Sequence, residues 1–179
     1  GSFLENLSQA ATIGNDEKTT FETINAASAA CHDINMLGTE VIGDPMEIKL
    51  VEFTGLQFSL TESRQKLFVM KNDRGEQIEG LKRFEFNPNL QRMSVIGAAV
   101  ANPNQKRIYT KGAPEVLTKL CVPNTVPADF EECLSRYTQF GYRVLAVCYR
   151  DLSQQEASAK LDDLNRTDCE RDLIFLGFA

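Results

Sequence analysis

Apolar positions along this chain change their repeat several times, and each change marks an element. Over residues 21–31 they fall at Phe21, Ile24, Ala27 and Ala30 or Cys31, which is helical spacing. A second helix opens sharply at Gly43-Asp44-Pro45-Met46-Glu47. Asp44 is suited to cap it, Pro45 takes the first position, and Glu47 lies three beyond the cap, as in a capping box. Met46, Leu50 and Phe53, with Ile48 and Val51, make its apolar side, and Gly55 stops it. Residues 56–60, 66–70 and 79–84 then read as strands, with a turn at Asn72-Asp73-Arg74-Gly75.

The aromatic pair Phe84 and Phe86 is followed by a turn on Asn87, Pro88 and Asn89, then by an apolar run over residues 95–101. A turn at Asn102-Pro103-Asn104 joins that run to a short strand over 107–110, which stops at Lys111-Gly112. Short turns between successive strands mean antiparallel pairing. Pro114 opens a short helix over 114–120. A longer helix is expected over 127–140, with Phe130, Cys133, Leu134 and Tyr137 on its apolar side and Gly141 as its stop. Residues 142–149 read as a buried strand with Arg143 at its start, 153–164 as a helix with a Ser-x-x-Glu box at Ser153 and Glu156, and 173–178 as an apolar strand. The expected fold is α+β: an antiparallel twisted sheet of six or seven strands flanked by helices.

With 179 residues, 42% of them apolar, the chain suits one compact domain. Gly1-Ser2 reads as an expression scar, residues 8–19 as polar and loose. Residues 3–179 are expected to form a single domain with its core over 21–178, the natural chain continuing at both ends. The longest apolar run, 95–101, is far shorter than the roughly 20 residues a membrane helix needs. The five cysteines are odd in number and none falls in a CxxC pair, so free thiols in a reducing compartment are expected. A single histidine and no ligand-spaced cluster argue against a metal site.

Charge changes the picture. Between Lys82 and Lys111 stand six basic residues and one acid, Glu85, whereas the whole chain has 19 basic and 25 acidic residues. The window is net +5 and the remainder net −11. An acidic protein that gathers positive charge beside aromatics and a glycine turn suits a small anion with a flat apolar part, such as a nucleotide. A long nucleic acid, whose affinity rests on many phosphate contacts, suits it less.

No GxxxxGK[ST] loop and no GxGxxG fingerprint is present, so a nucleotide would be held from its base. Phe86 can stack on adenine, worth about 1–3 kcal/mol by analogy with other base stacking. Lys111 supplies a compact cation, Gly112 lets a ligand approach the backbone, and Arg143 offers a planar fork to phosphate or ribose. Asp44 and Glu47 serve either as caps alone or as acceptors of an adenine amino proton. The plainer alternatives are a core aromatic for Phe86, a solvated turn lysine for Lys111 and a surface ion pair for Arg143. His32 adjoins Cys31, and neighbours on a helix do not face each other, so a structural or surface role is expected for it rather than a Cys/His dyad.

These residues resemble a known family. KGAPE at residues 111–115 looks like the nucleotide-binding motif of P-type ATPases, and GDPMEIK (43–49), FEFNPNLQRMSV (84–95), TKGAPEVL (110–117) and TVPADFEECLSRYTQFGYRVLAV (125–147) occur in that family's order and spacing. QRMSV, TVPxDFE and the GYRVLA stretch most resemble the type V branch, subtype B, the polyamine-transporting pumps of late endosomal, lysosomal or vacuolar membranes. The resemblance implies a cytosolic nucleotide-binding domain that takes ATP or ADP, with Mg²⁺ bound through the phosphates. It implies the phosphorylation and actuator domains of the same chain as partners. By motif position Phe86 matches the adenine-stacking phenylalanine, Lys111 and Gly112 the pocket floor, Arg143 the phosphate-reaching arginine, Leu145 the apolar residue beside the base, Asp44 and Glu47 the acidic pair, and Met93 a pocket methionine.

A lysine is common in the family where Gln91 stands, with the basic residue displaced here to Arg92. Successive strand side chains face opposite ways, so both are held as secondary candidates. Asp16-Glu-Lys-Thr-Thr20 resembles the DKTGT phosphorylation motif but lacks its glycine, and reads as loop and helix start. Without the phosphorylated aspartate, the chain carries no catalytic residue and is expected to bind ATP without turnover, as a monomer outside the membrane, with neither nucleic acid nor metal bound by its own side chains. The affinity is expected to be weak, on the order of millimolar, about −4 kcal/mol. The full-length protein is expected at the cytosolic face of an endomembrane. The alternatives are a non-catalytic interaction module of the same fold that binds no nucleotide, and a small thiol enzyme using Cys31 or Cys148.

Overall fold

A computed structural model describes residues 17–61, 66–71, 75 and 77–179, with side chains from residue 22 on. The turn expected at residues 72–74, the Phe21 side chain, Asp16 and most of the polar start lie outside the described residues. In chain order the elements are α1 (Glu17–Ala30), β1 (Asn35–Leu37), β2 (Glu40–Ile42), α2 (Pro45–Thr54), β3 (Gln57–Leu60), β4 (Phe68–Lys71), β5 (Gln77–Asn87), β6 (Arg92–Ala99), β7 (Lys106–Gly112), α3 (Pro114–Leu117), α4 (Phe130–Gln139), β8 (Ala146–Asp151), α5 (Gln154–Ser158), α6 (Arg166–Cys169) and β9 (Ile174–Phe178).

Strands β3 to β9 form a seven-stranded sheet in which sequence neighbours are also spatial neighbours, and every pairing is antiparallel. The expected α+β fold is therefore the observed one. Helix α1 lies on one face: Ile24, Ala27, Ala30 and Cys31 pack on Met93, Tyr109, Val147, Tyr149 and Leu176. Ala27, Ala29 and Ala30 are fully buried, and their small size lets the helix come close to the strands. The same side continues into Ile34, Val51, Leu56, Phe68, Met70 and Val95. The opposite face is covered by α3, α4 and the segment around α6, with Ile96, Ile108, Cys148, Leu117, Phe130, Leu134 and Phe175 in its core.

Several expectations need correction. The strand expected from residue 142 begins at Ala146, which leaves Arg143 on an exposed connection before it. The helix expected over 153–164 stops at Ser158, although the Ser153/Glu156 capping box closes as expected. Helix α1 begins at Glu17, inside the segment expected to be loose. On α2 the buried residues are Glu47 and Val51, while Phe53, expected in the apolar side, is 49% exposed. The β1–β2 hairpin was not expected, and its short strands are largely exposed. Among the described residues no helix is long and apolar enough to cross a membrane, and no group of His, Cys, Asp and Glu is arranged to hold a metal ion.

Candidate functional site

The site is assembled where β5, β6 and β7 run side by side. Met93 on β6 stands opposite Lys111 on β7, and Lys111 stands opposite Val147 on β8. Side chains alternate across a strand and directly opposed residues share a face, so these three lie on the face that α1 covers. On β5, Phe84 pairs with Ser94 and Asn87 with Arg92. Glu85 and Phe86 together therefore face the single residue Met93: a β-bulge, in which two residues oppose one. Without it, Phe84 and Phe86 would share a face. With it, Phe84 packs on the core that includes Ile96 and Leu117, and Phe86 joins the Met93–Lys111 side with its ring 54% exposed. Asn87 ends the strand by accepting the backbone N–H groups of Asn89 and Leu90, an Asx turn.

Lys111 is not a solvated turn lysine. It is 5% exposed, and its ammonium donates to Glu47 Oε1 at 2.8 Å. Glu47, also buried, accepts the Asp33 backbone N–H on Oε2 at 2.8 Å. The capping box expected at the start of α2 is half made. Asp44 caps through the Met46 N–H at 2.8 Å and Gly55 closes the helix in the left-handed region with φ 70°. Glu47 leaves its reach-back position because a buried ammonium needs a counter-charge. Each Glu47 oxygen carries one named hydrogen bond, and a carboxylate has about four acceptor positions, so capacity remains toward a ligand's N–H. Asp33 in turn pairs with Arg83 at 2.6 Å.

Gly112 has a different reason to be glycine than the one expected. A Cβ there would lie 2.4 Å from the Gln91 carbonyl oxygen and 2.6 Å from Arg92 Cβ. The space is taken by β6, not left open for a ligand. Gln91 is exposed with φ 50°, and its carbonyl accepts the Ala113 N–H at 3.0 Å, which ties the turn to the start of α3. Arg92 lies on the opposite face, as strand alternation requires, and its Nε donates to Glu170 Oε2 at 2.5 Å. Leu145 is half-buried at the entry to β8, its backbone exchanging hydrogen bonds with Ala179. Arg143 is exposed and forms no ion pair among the described residues.

The structure thus gathers Phe86, Met93, Lys111 and Glu47 on one face, places Asp44 at the adjoining helix start, and separates Arg92 from them. Sequence reasoning missed Asp33 as a partner of Glu47, and Arg166 and Glu170 on the far side; no local spacing signals contacts across such separations. Neither Cys31 nor Cys148, the two thiols weighed for a thiol enzyme, is set up as a nucleophile. Burial pushes Cys31 up to about 12 and Cys148 well above the ordinary thiol range. His32 is buried, with Nδ1 accepting the Ile34 N–H at 3.0 Å and its ring against Phe58 and Phe68. A structural role is the observed one, and a surface position is not.

The chain matches the family of P-type ATPase cytoplasmic domain N over residues 4–179, and it belongs to that family. Its curated relatives narrow the neighbourhood. It is 36% identical to Polyamine-transporting ATPase 13A2 of Mus musculus over 84% of this chain and 14% of that protein. It is 34% identical to Probable cation-transporting ATPase 13A4 of Gallus gallus over 84% of this chain and 13% of that protein. It is 31% identical to Probable cation-transporting ATPase 13A5 of Mus musculus over 93% of this chain and 15% of that protein. The chain therefore spans only 13–15% of the length of these relatives.

Proposed function

We propose that this chain is the ATP-binding domain of an ATP-driven P-type transporter of the polyamine or cation-pump kind, type V subtype B. It would present the nucleotide to a phosphorylatable aspartate in another domain of the same protein. The observation that carries this reading is the Phe86 ring, a large aromatic left 54% exposed by a bulge on the sheet face that holds the buried Lys111–Glu47 pair. Adenine lies flat against Phe86, Met93 and Leu145 border the base, and a free acceptor position on Glu47 takes the adenine amino proton. Lys111 and Arg143 favour the negatively charged end. Mg²⁺ is carried by the phosphates. The γ-phosphate is left free to reach its acceptor, so transfer depends on positioning and charge stabilisation supplied jointly with the partner domains. In the full-length protein the domain faces the cytosol at an endomembrane, whether late endosome, lysosome or vacuole.

A second reading is an interaction module of the same fold that binds no nucleotide. It draws on one observation: the Lys111 ammonium is already neutralised by Glu47 and scarcely reaches solvent. A residue-by-residue NMR titration with ATP separates the two. The nucleotide reading expects localised shifts at Phe86, Lys111 and their strand neighbours, lost on Phe86→Ala, with an affinity falling by about 1–3 kcal/mol and the fold intact. A titration with no localised shifts would sink it.

A further inference from the structure

A bulge has a cost that something must offset. The extra residue leaves backbone groups without partners on the neighbouring strand, and unpaired carbonyls away from water are unfavourable. In this molecule one side chain from far along the chain donates to carbonyls on both strands at the bulge. Arg166, at the start of the short helix α6, donates from Nη2 to the carbonyl of Phe84 at 3.0 Å and of Glu85 at 2.8 Å, the two residues leading into Phe86, and to the carbonyl of Arg92 at 3.1 Å on the opposing strand. Its guanidinium also lies over the Phe84 ring, 5.8 Å from the centroid. The arginine is itself fixed: Nε donates to Glu170 Oε1 at 2.9 Å. Glu170, 1% exposed, also takes Arg92 Nε at 2.5 Å and Ser94 Oγ at 2.6 Å, and Ser94 is tied to Thr110 on β7.

We infer that Arg166, anchored by Glu170, is a positioning residue for nucleotide binding: it clamps the β5 bulge and thereby fixes where the Phe86 ring stands, without touching the ligand. The inference rests on the nucleotide reading above. The planar fork suits this work, because one guanidinium edge serves the carboxylate while another N–H₂ group serves the strand carbonyls. A lysine ammonium in the same place is a point charge that cannot span both. The clamp joins the last part of the chain to the strand that carries the aromatic, so the ring's pose depends on residues about 80 positions away.

The test compares adenosine with ATP on the 179-residue chain, using Arg166→Gln and Arg166→Lys. Adenosine is neutral, so its affinity does not respond to the lost charge. Arg166→Gln is expected to weaken adenosine and ATP by the same factor, at least about fivefold. It is also expected to move the amide resonances of Glu85 and Phe86 in the free protein. Arg166→Lys, unable to span both partners, should still weaken both ligands by at least about threefold. A merely structural role would lower the thermal midpoint while leaving the folded protein's adenosine affinity in place. The inference is overturned if adenosine affinity stays within about twofold of the unsubstituted chain, or if only ATP weakens. Should Arg166→Gln fail to fold, Arg166→Lys decides on the same two criteria. If the unsubstituted chain shows no localised shift with ATP, the nucleotide reading falls and the positioning role with it. If that chain binds and both variants bind equally well, only the positioning role falls.

Discussion

Two buried carboxylates flank the same pair of strands, one on each face of the sheet, and they are held very differently. Glu170 accepts from two guanidinium groups and a hydroxyl. Glu47 accepts from one ammonium and one backbone N–H, and on its face of the sheet the register sets the exposed Phe86 opposite Met93. The first is close to saturated and serves to knit β5, β6, β7 and α6 together. The second keeps acceptor capacity on the face that also carries Phe86. On one face buried charge is spent on holding the fold, and on the other it is kept where a ligand can meet it.

The asymmetry is sharpest in stability. Glu170→Gln leaves Arg92 and Arg166 without their counter-charge in a buried setting, which costs about 3–5 kcal/mol when a buried pair loses one partner. Glu47→Gln retains an acceptor for the Asp33 N–H and strands one buried cation rather than two, so a loss at the lower end, about 3 kcal/mol, is expected. Urea midpoints of the two variants, with the slope unchanged, check the order. If Glu47→Gln is the more damaging, the ligand-facing carboxylate is the structural keystone and the contrast drawn between the faces is wrong.

Acid comes next in size and acts on the Glu47 side. Burial, with smaller contributions from Arg83 and Lys111, lowers His32 from 6.5 to about 3. The folded protein keeps the ring neutral while the unfolded chain protonates below 6.5, so stability is lost as pH falls through that window, by about 1.4 kcal/mol per pH unit. Glu156 is lowered from 4.5 to about 2, mainly by its hydrogen bonds from Arg150. Its contribution is complete above 4.5 and fades only as pH falls toward 2. Between pH 6.5 and 4.5, of these two groups only His32 contributes to the slope. Midpoints measured across that interval should fall in the unsubstituted chain and flatten in His32→Gln; an equal slope in both would remove His32 as the cause.

Much of this was legible in the chain and some was not, for physical reasons. The strand order follows from short turns, and Asn102-Pro103-Asn104 and the Asn87 Asx turn announce themselves by residue type. The antiparallel sheet needed nothing more. Phe86 and Lys111 stood out as candidates, and alternation alone already set Arg92 apart from its neighbour Gln91. The bulge was invisible, because it depends on how many residues of β5 oppose β6, which a simple period of two does not register. The capping-box pattern at Asp44 and Glu47 was real but outbid by a lysine 64 residues away. Arg166 and Glu170 show only their own i,i+4 spacing; their contacts with β5 and β6 carry no local signature, since those partners lie about 80 positions away.

The smallest expected effect divides the ligand rather than the protein. Arg143 is exposed, lies outside β8, and makes no ion pair among the described residues, so Arg143→Ala should leave stability within about 0.5 kcal/mol. An exposed cation facing a phosphate in water is worth little, about 0.2–1 kcal/mol, and only while salt is low. ATP affinity should therefore drop by no more than about fivefold at low ionic strength and converge with the unsubstituted chain as salt rises. Adenosine affinity should not change at any salt concentration. This pattern is the reverse of the one expected for Arg166, whose loss weakens both ligands alike. Were Arg143→Ala to weaken adenosine as well, the charged end and the stacking end of the site could not be separate, and the exposed stretch of chain before β8 would have to reach the base itself.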